Sequence, residues 1–385
     1  MRSALCSAAA VVFLAAVGSA AAGQEANSKP SGAKDGERLF ETETFGGNGR
    51  TCRTCHSEDT GTVSPKDAAK RLKEDPNDPL FVHDGSDDGL GHGHSRMLAD
   101  ATILMTIPLP ANVTLADDPT ARSVILRRGI PTTLNTPALD PVLMLDGRQP
   151  TLEAQAAGAI HDHAQGIGPS AADLHSIAEF QRTEAFFSSP ALRRFARGGA
   201  APRLPRGHTP SEKRGRRFFE DVGPDPALGF KPGLCAHCHS GPLLNQTNEF
   251  AQAFIQLPIP AGMRFISVGV SEFDAANNPR REFIFNQGTA SESHVFSPDP
   301  GRALITGIGI VPDNPALTLE NVNAFKISPL RGIARTAPYF HDNSAKTLED
   351  VAAHYALFFN VVTGGAIVLD AQDQADIVAF MKLLD

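Results

Sequence analysis

The chain has no tryptophan and only two tyrosines, Tyr339 and Tyr355, among its 385 residues. An electron relay through indole rings is therefore excluded, and any phenol ligand must be one of two side chains. A cationic surplus is also missing. Lys and Arg number 35 against 43 Asp and Glu, for a net charge of −8, and a weakly acidic chain of this kind gives no support to nucleic-acid binding. No apolar run reaches the ~20 residues of a transmembrane span. Cysteine is scarce, with five residues in all. What is plentiful is phenylalanine, at 23, and histidine, at 13. A hydrophobic content of 41% with 20% charged residues is ordinary globular composition, and the length suggests two domains.

Residues 1–22 read as an export signal. Arg2 precedes an apolar run from Ala8 to Val17, and Ala20-Ala21-Ala22 before Gly23 offers a small-residue cleavage site. Cys6 precedes the apolar run, so it is not a lipoprotein cysteine, and it is lost with the signal. The mature chain is expected in an exported compartment, for which a bacterial periplasm fits.

The four remaining cysteines all fall in one pattern used twice. Cys52-Arg53-Thr54-Cys55-His56 and Cys235-Ala236-His237-Cys238-His239 are both C-x-x-C-H, the attachment signature of c-type haem. The spacing follows from the chemistry. Two thiols three residues apart add their S–H across the two vinyl groups of one haem, and the adjacent histidine supplies a nitrogen to iron. Two disulfides would leave the histidine after each pair without a reason. A zinc ribbon needs its halves ~15–20 residues apart, and these lie far beyond that. The cysteines thus predict two covalent haems, with His56 and His239 as iron ligands.

The two motifs sit in similar contexts. A helix is expected from Asp35 to Phe45 before the first and from Ser211 to Val222 before the second, so the chain reads as a duplicated cytochrome c unit. The Pro-rich, charged stretch 201–210 reads as a linker. The expected organisation is an N-terminal haem domain over 23–200, with an insertion at 57–125, and a C-terminal haem domain over 211–385. Few segments alternate as strands do, so the expected class is mainly α, two cytochrome c-like domains with long loops. Further helices are read from Ala171 to Phe187, from a capping signature at Thr347-Leu-Glu-Asp350, and after Asp370. The Thr347 helix carries Val351, Tyr355, Phe358 and Phe359 on one stripe, and the last helix faces Ile377, Phe380, Met381 and Leu384 inward. Within the insertion, His83-Asp84-Gly85-Ser86-Asp87-Asp88-Gly89 and Gly91-His92-Gly93-His94 look like metal loops, although the full calcium pattern is lacking.

Several stretches are similar to motifs of the bacterial dihaem cytochrome c peroxidase family, which includes the MauG-type enzymes. Arg127-Arg-Gly-Ile-Pro-Thr-Thr-Leu-Asn135 is similar to R-N-x-P-T-x-x-N. Asp146-Gly-Arg-Gln-Pro-Thr-Leu-Glu-Ala-Gln-Ala156 is similar to W-D-G-R-x-x-x-L-E-x-Q-A. Phe325-Lys-Ile-Ser-Pro-Leu-Arg331 and Thr336-Ala-Pro-Tyr-Phe-His-Asp342 resemble F-K-x-P-x-L-R-N and T-A-P-Y-x-H-D-G. The resemblance implies a peroxide-facing N-terminal haem, an electron-relaying C-terminal haem and one calcium ion between them. It implies a small electron-donor protein, a cytochrome c or cupredoxin, and is compatible with a homodimer.

The resemblance also assigns roles. Gln155 keeps the distal-pocket glutamine. The catalytic glutamate expected ten residues later is Gln165, which cannot ionise, so His163 or His161 is the candidate acid–base group. Leu145 replaces the inter-haem tryptophan. Thr336 and Pro338 keep the calcium-ligating carbonyls, but Gly129 stands where the family has an asparagine. The sixth ligand of the second haem falls at Tyr355, where MauG-type members use tyrosine and classical peroxidases use methionine; His354 and a purely structural Tyr355 are the alternatives. For the first haem, His83, His92 or His94 is a candidate resting ligand, while the MauG-like pattern favours an open site. The expected function is reduction of hydrogen peroxide. The alternatives are MauG-type oxidation of a protein or organic substrate, favoured by Tyr355, and a non-catalytic electron carrier, favoured by Gln165 and Leu145.

Overall fold

The computed structural model describes residues 31–385 except 256, 274–276 and 289–291. The export signal and Cys6 lie outside the described residues.

Six helices carry the architecture: α1 (Ser31–Thr42), α2 (Leu152–Asp162), α3 (Ala171–Gln181), α4 (Pro210–Arg216), α5 (Leu348–Val362) and α6 (Ala371–Met381). In the first half α1 crosses α3; in the second α4 crosses α6. Both crossings are close enough to require glycine. A Cβ on Gly36 would fall onto the Ser176 carbonyl, 2.9 Å from Phe180 Cβ, and a Cβ on Gly215 would fall onto the Asp376 carbonyl, 2.9 Å from Phe380 Cβ. Four residues beyond each glycine a phenylalanine meets its counterpart. Phe40 and Phe180 stand edge to face at 5.5 Å, and Phe219 and Phe380 are 5.2 Å apart. The same glycine, aromatic and carbonyl recur in the same register, so the duplication read from the motifs is a duplication of helix packing.

The late helices begin where their caps place them. Thr347 Oγ1 accepts from the Asp350 amide at 3.1 Å and Asp350 returns a bond to the Thr347 amide at 2.9 Å. Asp370 and Asp373 form the same reciprocal pair. Elsewhere the helices are shorter than the sequence pattern suggests. The segment before the second C-x-x-C-H is helical only over Pro210–Arg216, followed by a tighter turn at Arg217–Phe219. The third helix stops at Gln181, with a separate turn at Glu184–Phe186.

Strands are the main difference from expectation. An antiparallel ribbon pairs β1 (Thr102–Pro108) with β3 (Ser123–Gly129), from Thr102↔Gly129 to Pro108↔Ser123. A three-stranded sheet is ordered β2 (Val113–Leu115), β5 (Arg281–Asn286), β6 (Glu292–Ser297), and a short ladder pairs β4 (Phe265–Ile266) with β7 (Phe325–Lys326). The 57–125 segment is tied to the other half of the chain, since β2 pairs with β5. Its core mixes both halves, with Ile107 and Leu115 packed against the fully buried Phe283 and Phe285. Among the described residues no helix is long and apolar enough to cross a membrane.

Candidate haem cavities

Each C-x-x-C-H opens onto a large, mostly apolar cleft. The first spans about 1340 Å³ and the second about 1750 Å³, counting the space open to solvent at their mouths. All four cysteines are free thiols, so the disulfide reading is not realised. Burial pushes the thiols of Cys52 and Cys238 up to about 12 and that of Cys235 higher still. Such thiols are not the low-pKa pairs of a dithiol redox site.

The two histidines are prepared alike. His56 Nδ1 lies 2.8 Å from the Gly61 carbonyl, and His239 Nδ1 lies 2.8 Å from the Leu244 carbonyl. In both, the ring is fixed by a carbonyl five residues on, which leaves Nε2 as the nitrogen for a metal. Burial lowers both imidazoles to about 4, so they are neutral and able to ligate at neutral pH. A large apolar cleft, two thiols and an oriented neutral imidazole together fit a covalently held haem in each half.

The clefts share a wall. Gly129, Ile130, Pro131, Leu145 and Lys326 border both. Leu145 thus stands between the cavities, where the motif comparison puts the family's tryptophan. Buried charge braces this region. Arg128 bonds Asp146 and, at 2.7 Å, Asp299, while its guanidinium lies over the Phe325 ring at 5.4 Å. Lys326 reaches Asp140 at 3.1 Å.

On the first cavity the structure brings together two of the four distal candidates. Gln155, on α2, and His163, the residue that closes α2, both border it. His161 and Gln165 do not. The His161 side chain is 85% exposed and bonds Asp162 at 2.7 Å. Gln165 is exposed, has a positive φ of 53°, and accepts from Asn48 at 3.2 Å on an outer recess. The helix ends at Asp162, so the chain turns outward before position 165. None of His83, His92 and His94 borders the first cavity. His92 is tied to Asp88 at 2.7 Å and His94 packs against Phe81. The suspected metal loop is closed by its own donors. Asp87 accepts from Ser95 and the Arg96 amide, and Asp88 accepts from the Leu90 and His92 amides. Among the described residues no group of three or more His, Cys, Asp and Glu is placed to hold a metal ion.

What the motifs did not reveal is the partner of His163. Asp84 Oδ2 lies 2.6 Å from His163 Nδ1, and Oδ1 bonds the buried Arg50. Burial pushes the Asp84 carboxyl up, but its bond to His163 and the Arg50 charge outweigh it and hold the group below the usual carboxylate range. No spacing rule links residues 50, 84 and 163; only an acidic residue in an otherwise incomplete metal-like loop hinted at it.

On the second cavity Tyr355 borders the same space as His239. Burial raises its phenol, with Cys238 and Cys235 close enough to add to the effect, so it ionises only against a cation. His354 is committed elsewhere, its Nε2 lying 2.9 Å from the Val268 carbonyl. Met381 also borders this cavity, whereas Met263 packs in a separate cluster. Thr336 and Pro338 line the cavity as well. The side chain missing at Gly129 is replaced in space by Asn343: a Cβ on Gly129 would fall onto its amide oxygen.

No family model matches the chain. Hydrazine synthase subunit gamma of Kuenenia stuttgartiensis is 28% identical over 176 residues, 46% of this chain but only 41% of that subunit's length. A MauG-like protein associated with microbial copper homeostasis superposes over 94% of this chain and 90% of its own, with a TM-score of 0.50 at 21% identity. The diheme peroxidase BthA of Burkholderia thailandensis E264 aligns over 92% of this chain and 86% of its own, with a TM-score of 0.45 at 15% identity.

Proposed function

From a chain with the MauG-like fold, we propose an exported c-type dihaem oxidoreductase that reduces hydrogen peroxide with electrons from a small redox protein, a cytochrome c or cupredoxin. The observation that carries this reading is the pair of walled-together cavities, each offering two free thiols and a neutral histidine fixed at Nδ1. Cys52, Cys55 and His56 hold the first haem, and Cys235, Cys238 and His239 the second. Haem, when bound, supplies the iron at which the O–O bond breaks. Gln155 orients peroxide by hydrogen bonding. His163 takes a proton from one peroxide oxygen and returns it to the other. Two electrons from two donor molecules and two protons from solvent complete the conversion of peroxide to two waters. Residues 1–22 direct the chain to the periplasm.

Tyr355 favours a second reading, in which the same centres oxidise a protein or organic substrate as MauG-type enzymes do. A calcium ion in this protein would take main-chain oxygens of Thr336 and Pro338, with Asn343 rather than residue 129 bringing the amide oxygen. Steady-state peroxide consumption with a chemical electron donor tests the main reading. Turnover that is lost in the His56→Gly variant supports it. Absence of turnover in the intact dihaem protein contradicts it and leaves an electron carrier.

A further inference from the structure

His163 stands in a partition. The residue borders both the first cavity and an outer recess of about 960 Å³, open to solvent, that is also lined by His83, His161, Asp162 and Gln165. The side chains behind it are unusual for a wall. Asp84 is 4% and Arg50 2% exposed. Arg50 is clamped on every nitrogen: Nε donates to Pro79 O at 2.8 Å, Nη2 to Leu80 O at 2.9 Å and Val82 O at 2.7 Å, and Nη1 to Asp84 and to His163 O at 3.2 Å. Gly85 keeps the niche open, since a Cβ there would strike the Leu80 carbonyl and the Arg50 guanidinium. A buried ion pair is a poor stabilising device, because desolvation costs about as much as the attraction returns. Here it is built into a cavity wall and aimed at the one imidazole, besides His56, that borders that cavity.

Resting on the peroxide reading above, we propose that Asp84, locked by Arg50, is the positioning residue of a proton relay through His163, with the outer recess as the solvent inlet. A carboxylate accepting from Nδ1–H fixes the tautomer and leaves Nε2 as the basic nitrogen, the arrangement by which an aspartate orients a catalytic imidazole. The relay makes and breaks only O–H and N–H bonds. Nε2 takes the proton from the inner peroxide oxygen and gives it to the outer one. The two protons consumed per peroxide enter from water in the recess, so no further reactant is needed. The charged and titratable groups facing His163 are Asp84 and Arg50 beside it, His83, His161 and Asp162 around the recess, and His56, Glu43, Arg128, Arg148 and Lys326 on the cavity lining.

Two probes on the ferric holoprotein, between pH 5 and 9, test the relay. The first is the rate of the peroxide-induced change in the Soret band. The second is cyanide association, which requires a base to accept the proton of HCN and does not involve turnover. With the relay intact, both rates rise with pH. Asp84→Asn removes the carboxylate that accepts from His163 Nδ1–H. It is expected to slow both reactions by ~10²-fold and to change their pH profile, with both haem spectra unchanged. His163→Gln is expected to remove the rise entirely, and it decides the matter should Asp84→Asn not yield folded protein. Rates and pH profiles that match the unmodified protein in these variants overturn the relay even if peroxide turnover is normal. A protein that shows the cyanide profile but no peroxide turnover keeps the relay and loses the peroxidase reading.

Discussion

Tyr355 and His354 are neighbours on α5 with opposite fates. His354 spends Nε2 on the Val268 carbonyl, whereas Tyr355 borders the second cavity with a phenol that burial keeps unionised. A phenol so placed ionises only against a cation in that cavity. A phenolate donor also stabilises ferric iron more than a thioether does, which keeps the potential low. Tyr355→Phe is therefore expected to alter the absorption and EPR signature of the second haem and leave the first unchanged. Because Met381 borders the same cavity, the alternative has a clear signature. A sulfur-to-iron band at the red end of the unmodified spectrum, kept in Tyr355→Phe, would assign the ligand to methionine.

At the scale of elements, the haem halves depend on two helix crossings. Gly36 in α1 and Gly215 in α4 leave no room for a methyl group against the carbonyls of Ser176 and Asp376. Gly36→Ala and Gly215→Ala are each expected to destabilise by ~2–3 kcal/mol through overpacking, measured as a lower thermal midpoint, despite alanine's better helix propensity. A stable or stabilised variant would show that the crossings are looser than described. These helices were legible because their signals are local: reciprocal caps at Thr347 and Asp370, and one apolar stripe per helix. The strands were not. In β3 the buried Val124 and Leu126 flank Ile125, which is 61% exposed, so the alternation that marks a strand is hidden in an apolar run. β2 has three residues and acquires its sheet only by pairing with β5, more than 160 positions away. The C-x-x-C-H pairs stand out in the sequence because thioether chemistry would fix their spacing. The Arg50–Asp84–His163 chain does not, because tertiary packing alone assembles it. The same helix that delivers Gln155 and His163 to the cavity ends too early to deliver Gln165.

Across the whole molecule, buried carboxylates make acid the weak direction. Burial raises Asp146, but Arg128 and Arg148 outweigh it and hold its carboxyl below the usual range; Asp84 is lowered for similar reasons. A carboxylate with a depressed folded pKa contributes stability above its unfolded value, ~3.9, and loses it as pH falls through the folded value. Denaturant midpoints are thus expected to be insensitive to these groups from neutrality to about pH 5 and to fall below about pH 4. Asp146→Asn should flatten that acid limb, and an unchanged limb would deny the wall its electrostatic role. The wall matters because Leu145 and its neighbours are what separates the two cavities, and the account rests on there being two filled sites. The direct measurement is covalent haem per chain. Purified protein is denatured, extracted with acidified acetone, and assayed for iron and for pyridine haemochrome. The account predicts close to two haems that stay with the polypeptide and an iron-to-chain ratio near two. A ratio near one, haem that extracts into the solvent, or zinc in place of iron would contradict it.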